Sequence, residues 1–298
     1  MVARAHGLRC VVALPDDAAS EKVATLKALG AEVHAMRPVS ITHPEHFVNV
    51  ARRKAKAVDG VFCDQFENLA NFRAHRHGTG AELVAQLRKR FSARGEQVDG
   101  PKLAFICGAG TGGTLAGVHA ALSAAFRGAR AFLADPQGSS LFNRVVHGVL
   151  YTPEEAEGKR RANPFDTVVE GVGLNRLTAN FALVADQLSG AARVSDAEAV
   201  RMARFLRAKE GLWVGSSSAI NAAAAAKLAR ALGPGHTVVT VLCDGGHRHL
   251  SKFWSDAYLQ ELELLPSDEE EQRLAADGGD GNGDGEALPF LDGQAALR

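Results

Sequence analysis

The chain has 298 residues, 46% of them hydrophobic, and its 34 Lys and Arg residues balance 34 Asp and Glu residues. A chain of this length can bury one large core or two smaller ones. Because the charge is balanced and no apolar run approaches the ~18 residues of a membrane helix, we expect neither a nucleic acid nor a membrane as a partner.

The first part of the chain alternates between apolar runs and amphipathic segments. Continuous apolar runs predict buried strands, at residues 8–15, 31–36 and 60–66. The helical spacing of other apolar residues predicts two intervening helices, at residues 18–30 and 44–58. The order strand, helix, strand, helix, strand predicts a parallel sheet with helices on its faces.

The same alternation continues further along the chain. Helices are predicted at residues 78–91, 114–126, 195–211, 216–233 and 249–263. Strands are predicted at residues 102–108, 129–136, 212–215 and 236–246. Ser195 and Glu198 have the spacing of a capping box at the start of the helix at 195–211. After Pro266 the chain becomes acidic and glycine-rich, so residues 266–298 are predicted to be a disordered tail.

The four cysteines, Cys10, Cys63, Cys107 and Cys243, lie singly in or beside apolar runs. This usage is typical of reduced core cysteines and predicts an intracellular protein. A metal site built from "CDGGHRHL", with Cys243 and its neighbouring histidines, matches no standard zinc spacing, so no metal is expected.

The stretch "FICGAGTGGTLAGV" (105–118) predicts a strand, a glycine turn (residues 108–114) and a helix. Free backbone N–H groups and the positive end of the helix dipole meet at such a turn, so it favours an anion. Thr111 and Thr114 add two hydroxyl donors. The alternative is a tight turn that binds no ligand.

The anion could belong to a dinucleotide. Gly108, Gly110 and Gly113 fit the pattern G-x-G-x-x-G, and Asp135 ends the following strand, near where a ribose-binding acid should lie. That pattern alone is a weak signal. An ATP-binding P-loop is excluded, because no Lys-Ser or Lys-Thr pair follows the glycines.

The residues around the turn carry a more specific pattern. "GAGTGGTLAGV" (108–118) closely resembles the phosphate loop of the fold-type II pyridoxal-phosphate enzymes, the cysteine synthase and cystathionine β-synthase family. Other segments that resemble the family follow in the same order, namely "CDQFENLANFRAHRHGTGAEL" (63–83), "EGVGLNRL" (170–177), "VGSSSAIN" (214–221) and "LCDGGHRHLSKFWSD" (242–256). The insertion from Ser139 to Thr167 resembles a cysteine-synthase-like branch found in plants, algae and fungi.

The resemblance implies two parallel-sheet α/β domains of the tryptophan synthase β-like fold. The remainder of a smaller domain would occupy residues 1–80 and the larger domain residues 81–265, ahead of the tail at 266–298. The resemblance also implies pyridoxal 5'-phosphate as cofactor, an amino-acid substrate and a homodimer. In this family an O-acetylated serine loses acetate and sulfide then adds to give cysteine.

The resemblance also implies site residues. The cofactor phosphate would be held by Gly110, Thr111, Gly112, Gly113 and Thr114. Gln65 would bind the substrate carboxylate, and Asn68 would fix the turn that carries it. Gly245 stands where the family has a serine that meets the pyridine nitrogen of the cofactor.

Two further family features are missing from the matched segments. The Schiff-base lysine and the Asn/Thr-rich substrate loop both belong to a family segment that precedes the first motif matched here. No lysine of this chain lies in that motif, so no catalytic residue is assigned within it. Met1 to His6 looks like the middle of a helix, and we therefore expect the chain to be N-terminally incomplete.

Several functions remain open. Synthesis of cysteine from O-acetylserine and sulfide is the family activity, whereas the substitution at Gly245 favours a non-catalytic paralogue with a binding or regulatory role. A related lyase or dehydratase of the same fold and a dinucleotide-binding protein are further alternatives. An organelle such as a plastid or mitochondrion is as compatible with the sequence as the cytoplasm.

Overall fold

The structure is a computed structural model that describes residues 1–151, 167–276, 288, 290–293 and 295–298. Its strands are β1 (Val11–Pro15), β2 (Glu32–Met36), β3 (Leu103–Gly108), β4 (Arg130–Pro136), β5 (Gly190–Val194), β6 (Thr237–Val239) and β7 (Ala296–Leu297). Its helices are α1 (Val2–Ala5), α2 (Ser20–Ala28), α3 (Phe47–Ala57), α4 (Ala70–His77), α5 (Thr79–Ser92), α6 (Gly113–Ala125), α7 (Leu141–His147), α8 (Ala179–Ala182), α9 (Asp196–Glu210), α10 (Ser216–Leu232), α11 (Asp256–Glu261) and α12 (Asp268–Ala276).

The N-terminal part forms a small parallel sheet of two strands. β1 pairs with β2, with Val11 opposite Glu32 and Pro15 opposite Met36. The prediction of a third strand at 60–66 is wrong, because residues 61–64 are irregular and belong to neither described sheet. Val61 is 90% exposed, so its apolar run has no neighbouring strand to cover it.

The larger sheet has the strand order β6-β3-β4-β5-β7 and lies at the centre of the molecule. Its first four strands are parallel, and every residue of β3 is buried. Alternate residues of β3 enter two different cores: Ile106 packs with α10, whereas Phe105 packs with α6. Helices therefore cover both faces, which confirms the predicted α/β class with parallel sheets.

The prediction of a disordered tail from residue 266 is wrong for the residues that the structure describes there. α12 lies along α9, where Arg204 forms an ion pair with Glu271 at 3.5 Å. Leu291 is buried in the core, and β7 pairs antiparallel with β5. The apolar residues of the tail, such as Leu291, thus pack against the core. The acidic average composition of the tail hides this pattern in the sequence. Residues 277–287 lie outside the described part.

A buried ion pair joins this C-terminal segment to the core. The Nζ of Lys227 lies 2.6 Å from Oε1 of Glu198, and both side chains are at most 5% exposed. The same carboxylate accepts the backbone N–H of Asp292 at 2.7 Å. Glu198 also completes the capping box with Ser195, which confirms that prediction. One carboxylate therefore joins the start of α9, the middle of α10 and the tail.

The cysteines and the apolarity of the helices can be compared with what the sequence predicts. All four cysteines are free, but only Cys107 is buried, so the expectation of core cysteines holds for that residue alone. Among the described residues, no helix has both the length and the apolarity needed to cross a membrane.

Replacing Lys227 by Met should lower the free energy of unfolding by about 3–5 kcal/mol, because Glu198 would stay buried without its cation. The double variant Lys227→Met/Glu198→Gln should recover part of that loss, since the buried charge is then removed. Urea unfolding measures both. Lys102→Met is the matched control, because its pair with Asp99 is exposed. Equal unfolding midpoints for Lys227→Met and Lys102→Met would contradict this account.

Candidate phosphate-binding site

The glycine turn joins the end of β3 to the start of α6, at the carboxyl end of the parallel strands. α6 begins at Gly113, and its N-cap residue Gly112 has a φ of 84°. Gly112 has no side chain to cap the helix, and Oγ1 of Thr111 accepts the N–H of Gly113 at 3.3 Å. The other N–H groups of the first turn present the positive end of the helix dipole to whatever occupies the turn.

The glycines of the turn leave room for neighbouring backbone and side chains. A Cβ on Gly110 would lie 2.1 Å from the carbonyl oxygen of Gly171, and one on Gly113 would lie 2.5 Å from Oδ1 of Asn71. Two reasons exclude a side chain at Gly112: its φ is left-handed, and a Cβ there would lie 2.6 Å from Phe181. The turn can hold this shape only with glycine at these three positions.

The hydroxyl oxygen of Thr111 already accepts two hydrogen bonds. Its Oγ1 accepts a hydrogen bond from Nδ2 of Asn71 at 2.8 Å and another from the N–H of Gly113 at 3.3 Å. A hydroxyl oxygen has two lone pairs, and both are occupied here. The Thr111 proton is therefore left to donate to a further acceptor.

The hydroxyl of Thr114 is held by a histidine. Nε2 of His75 lies 3.1 Å from Oγ1 of Thr114, and Nδ1 of the same ring lies 3.0 Å from Oγ1 of Thr79. Burial lowers the pKa of His75 and favours its neutral ring. The neutral ring carries its proton on one nitrogen only. The Nε2–H tautomer donates to Thr114 and leaves the Thr114 proton free, whereas the Nδ1–H tautomer accepts that proton at Nε2.

Asn71 and His75 are functional candidates that the sequence analysis did not assign. They lie four residues apart on α4, which places them on one face of that helix. α4 can approach α6 closely because Gly117 lacks a side chain; a Cβ there would lie 2.6 Å from the Phe72 carbonyl. In the sequence, the spacing N-x-x-x-H just after the Gln65 turn was the signal that could have identified these two residues.

Gln65 lies exposed in a turn that follows Asp64. The backbone N–H of Ala70 donates to Oδ1 of Asn68 at 2.8 Å, so this side chain orders the start of α4. That Asn68 fixes the Gln65 turn remains a prediction. The substrate-binding role of Gln65 remains a prediction.

Two buried polar side chains fasten the Gln65 turn to the glycine turn. Nδ2 of Asn180 donates to the carbonyl of Phe66 at 2.9 Å, and Oγ1 of Thr178 donates to the carbonyl of Thr111 at 2.6 Å. Since Asn180 and Thr178 are two residues apart, the structure brings the two predicted binding segments together through one short connection.

The segment 170–174 covers the glycine turn. The N–H of Gly173 donates to the carbonyl of Ala109 at 3.0 Å, and Val172 packs against Gly108. Beneath them, Oδ1 of Asn221 accepts the N–H of Gly108 at 2.7 Å, while its Nδ2 donates to the carbonyl of Val241 at 2.8 Å. α10 thus ties the glycine turn to the irregular segment after β6 that leads to Gly245.

Gly245 has extended backbone and pairs with Val214 in an isolated bridge. A Cβ at this position would lie 2.8 Å from Nδ1 of His247, so a serine here would displace the His247 ring. The placement of Gly245 beside the cofactor ring remains a prediction. Within the described ranges no group of three or more His, Cys, Asp or Glu side chains could hold a metal ion.

Asp135, the acid of the dinucleotide alternative, is fully buried. Its Oδ2 accepts the N–H of Phe142 at 2.7 Å, which orders the chain after β4. Burial raises the pKa of Asp135 to about 7, although hydrogen bonds from Ser139 and Phe142 act in the opposite direction. A carboxyl group enclosed in this way is not available to a ribose, which argues against a dinucleotide.

The free energy of unfolding of Asp135→Asn, relative to that of the wild type, should increase as the pH rises toward about 7. Between the ordinary pKa of 3.8 and about 7, folded Asp135 holds a proton that the unfolded chain has released. Wild-type stability therefore falls across this window, by at most about 1.4 kcal/mol per pH unit, and the amide abolishes that loss. Urea unfolding at several pH values measures it. Parallel curves would contradict the assignment; Asp186→Asn, at an exposed ion pair with Arg144, is the control.

Comparison with known proteins identifies the family of the chain. The profile of a family described as "Pyridoxal-phosphate dependent enzyme" matches residues 1–244. Cysteine synthase 2 of Schizosaccharomyces pombe is 44% identical over 261 residues, which are 85% of this chain and 63% of that protein. Cysteine synthase 2 of Neurospora crassa is 47% identical over 263 residues, or 85% of this chain and 55% of that protein. The chain thus spans only 55% to 63% of the length of these two relatives.

A solved structure shares the fold. The O-acetylserine dependent cystathionine beta-synthase from Helicobacter pylori superposes with a TM-score of 0.67 at 28% identity, covering 84% of this chain and 72% of that one. The matched profile extends over most of the sequence, from the first strand through the glycine turn to Asp244. The chain therefore belongs to the family of pyridoxal-phosphate dependent enzymes.

Proposed function

We propose that the glycine turn binds the phosphate of pyridoxal 5'-phosphate and that the protein makes cysteine from O-acetylserine and sulfide. The observation that carries the proposal is the hydrogen bonding of Thr111. Asn71 and Gly113 fill the acceptor sites of its hydroxyl oxygen, so the hydroxyl can donate outward. An anion needs donors of this kind.

The residues present fit the phosphate of this cofactor. Gly110, Gly112 and Gly113 place no Cβ atoms at their own positions in the turn, and the first turn of α6 supplies backbone donors. Together with Thr111 and Thr114 they would hold the phosphate. When bound, the cofactor supplies an electron sink for negative charge at the α-carbon of an amino acid.

The other predicted residues would act on the amino-acid substrate. Gln65 is exposed at its turn, and its side-chain amide is a suitable donor for a substrate carboxylate. Asn68 and Asn180 would orient it by fixing that turn. Segment 170–174, which lies over Ala109, would exclude water from this end of the site.

Cysteine synthesis is supported by what the relatives are named. Two fungal relatives are named cysteine synthase 2, and the structural neighbour is described as an O-acetylserine dependent cystathionine beta-synthase. Because the chain spans less than two thirds of the fungal relatives, their complete activity is extended to it only as a proposal. A homodimer, an intracellular location and the division into domains at 1–80 and 81–265 are proposed on the same family basis.

Binding should depend on the phosphate group. The chain should bind pyridoxal 5'-phosphate more tightly than pyridoxal, and Thr111→Val should weaken that binding by about tenfold, the loss of one hydrogen bond to a charged group. Fluorescence titration measures both. Thr237→Val on β6 is the matched control and should leave the affinity unchanged. Equal affinities for the two ligands would exclude the glycine turn as a phosphate site.

The reaction is tested with the native protein purified from its source. We expect cysteine from O-acetylserine and sulfide, detected by its thiol and amine after separation. Pyruvate formation from serine would instead indicate a lyase or dehydratase. Cofactor binding with no product from either substrate would favour the non-catalytic paralogue, for which Gly245 is the relevant substitution.

A further inference from the structure

The small N-terminal sheet contacts the larger unit through a set of polar groups that the proposed function does not use. We call this set the clasp. On the N-terminal side it contains the Asp17 carbonyl and the side chains of Glu21 and Lys22, and on the other side those of Glu170, Ser251 and Lys252.

Glu170 lies at the centre of the clasp. Its carboxylate pairs with Lys22 of α2 and lies 3.5 Å from Nζ of Lys252. Nδ1 of His249, a buried residue, lies 3.7 Å from the same carboxylate, and the other ring nitrogen lies 3.1 Å from Oδ2 of Asp244. The Glu170 side chain is 20% exposed, so these partners surround it.

The second contact of the clasp is made by Glu21. Its carboxylate accepts the backbone N–H of Ser251 at 2.9 Å and the hydroxyl of Ser251 at 2.6 Å. Burial alone would raise the pKa of Glu21, but these two donors, together with the Glu21 backbone N–H and the Ser20 hydroxyl, outweigh it and lower the pKa to about 2. Glu21 therefore stays ionised at neutral pH, and α2 is held to the segment at 249–252.

The backbone of Glu170 belongs to the site. Its N–H donates to Oγ of Ser216, the first residue of α10, at 3.1 Å. The next residue, Gly171, places its carbonyl where a side chain on Gly110 would be. Two residues further, Gly173 donates to Ala109. The carboxylate that holds the N-terminal sheet is thus at most three residues from backbone that touches the glycine turn.

We propose that Glu170 is a positioning residue that couples the placement of the small N-terminal sheet to the shape of the glycine turn. A shift of α2 pulls on the Glu170 carboxylate, and segment 171–173 transmits that shift to Ala109 and Gly110. Coupling between two sites is reciprocal, so a ligand that orders the turn must also tighten the clasp. The ligand part of this inference rests on the proposed function; the structural part does not.

Hydrogen exchange of the free chain tests the structural part. Lys22→Met and Glu170→Gln should each speed exchange at residues 109–113 and 171–173 by about threefold or more, although Lys22 touches neither segment. Lys102→Met, which breaks an exposed ion pair with Asp99, is the matched control and should leave both segments unchanged. Unchanged exchange at 109–113 in Lys22→Met would overturn the proposal.

Titration with pyridoxal 5'-phosphate tests the reciprocal part. In the wild type the ligand should slow exchange at residues 11–36 as well as at 109–113, and Glu170→Gln should weaken binding by about threefold to tenfold. In that variant, protection at 109–113 should persist and protection at 11–36 should be lost. Protection confined to 109–113 in the wild type would overturn the coupling. Absence of binding in the wild type would overturn the proposed function, and exchange in the free variants would still decide the coupling.

Discussion

The buried side chain of Asn221 holds together the three parts on which the site depends. Its amide accepts the N–H of Gly108 where β3 ends and donates to the carbonyl of Val241 in the irregular segment after β6. Asn221 is only 1% exposed, so both bonds are shielded from water. An unpaired amide there would be costly, and this cost fixes the end of β3, the segment leading to Gly245 and α10 relative to one another. The glycine turn starts from this fixed point.

The donors of the turn come from distant parts of the chain. Asn71 and Thr111 are 40 residues apart, and Thr178 is 67 residues from Thr111, yet all three meet in one hydrogen-bond network. Close contact between α4 and α6 makes this geometry possible, because Gly117 allows the Phe72 carbonyl to approach. Preorganised hydroxyls of this kind need no rearrangement when an anion arrives. The network also explains why α4, within the segment predicted as the smaller domain, packs on the larger core.

The sequence predicted the parts of the molecule whose signals are local. The glycine turn, the capping box at Ser195 and the alternation of strands and helices depend on neighbours within a few residues. The prediction of a strand at 60–66 failed because a strand needs a neighbouring strand to pair with, and in the described structure no strand lies beside Val61. The prediction of a disordered tail failed for the opposite reason, because Leu291 and Ala295 pack against residues that are far away in sequence. Asn71 and His75 could be assigned only once the packing of α4 was known.

The short strand β7 has a consequence for how the larger sheet can grow. It pairs with β5, with Ala296 opposite Ala191 and Leu297 opposite Gly190. In the described part of the chain, β6 and β7 are the two edges of this sheet. β7 has only two residues, and very short edge strands are one way in which proteins limit pairing with other chains. The C-terminal residues therefore occupy the part of the β5 edge at residues 190–191 and shorten the length at which a strand of another chain could pair.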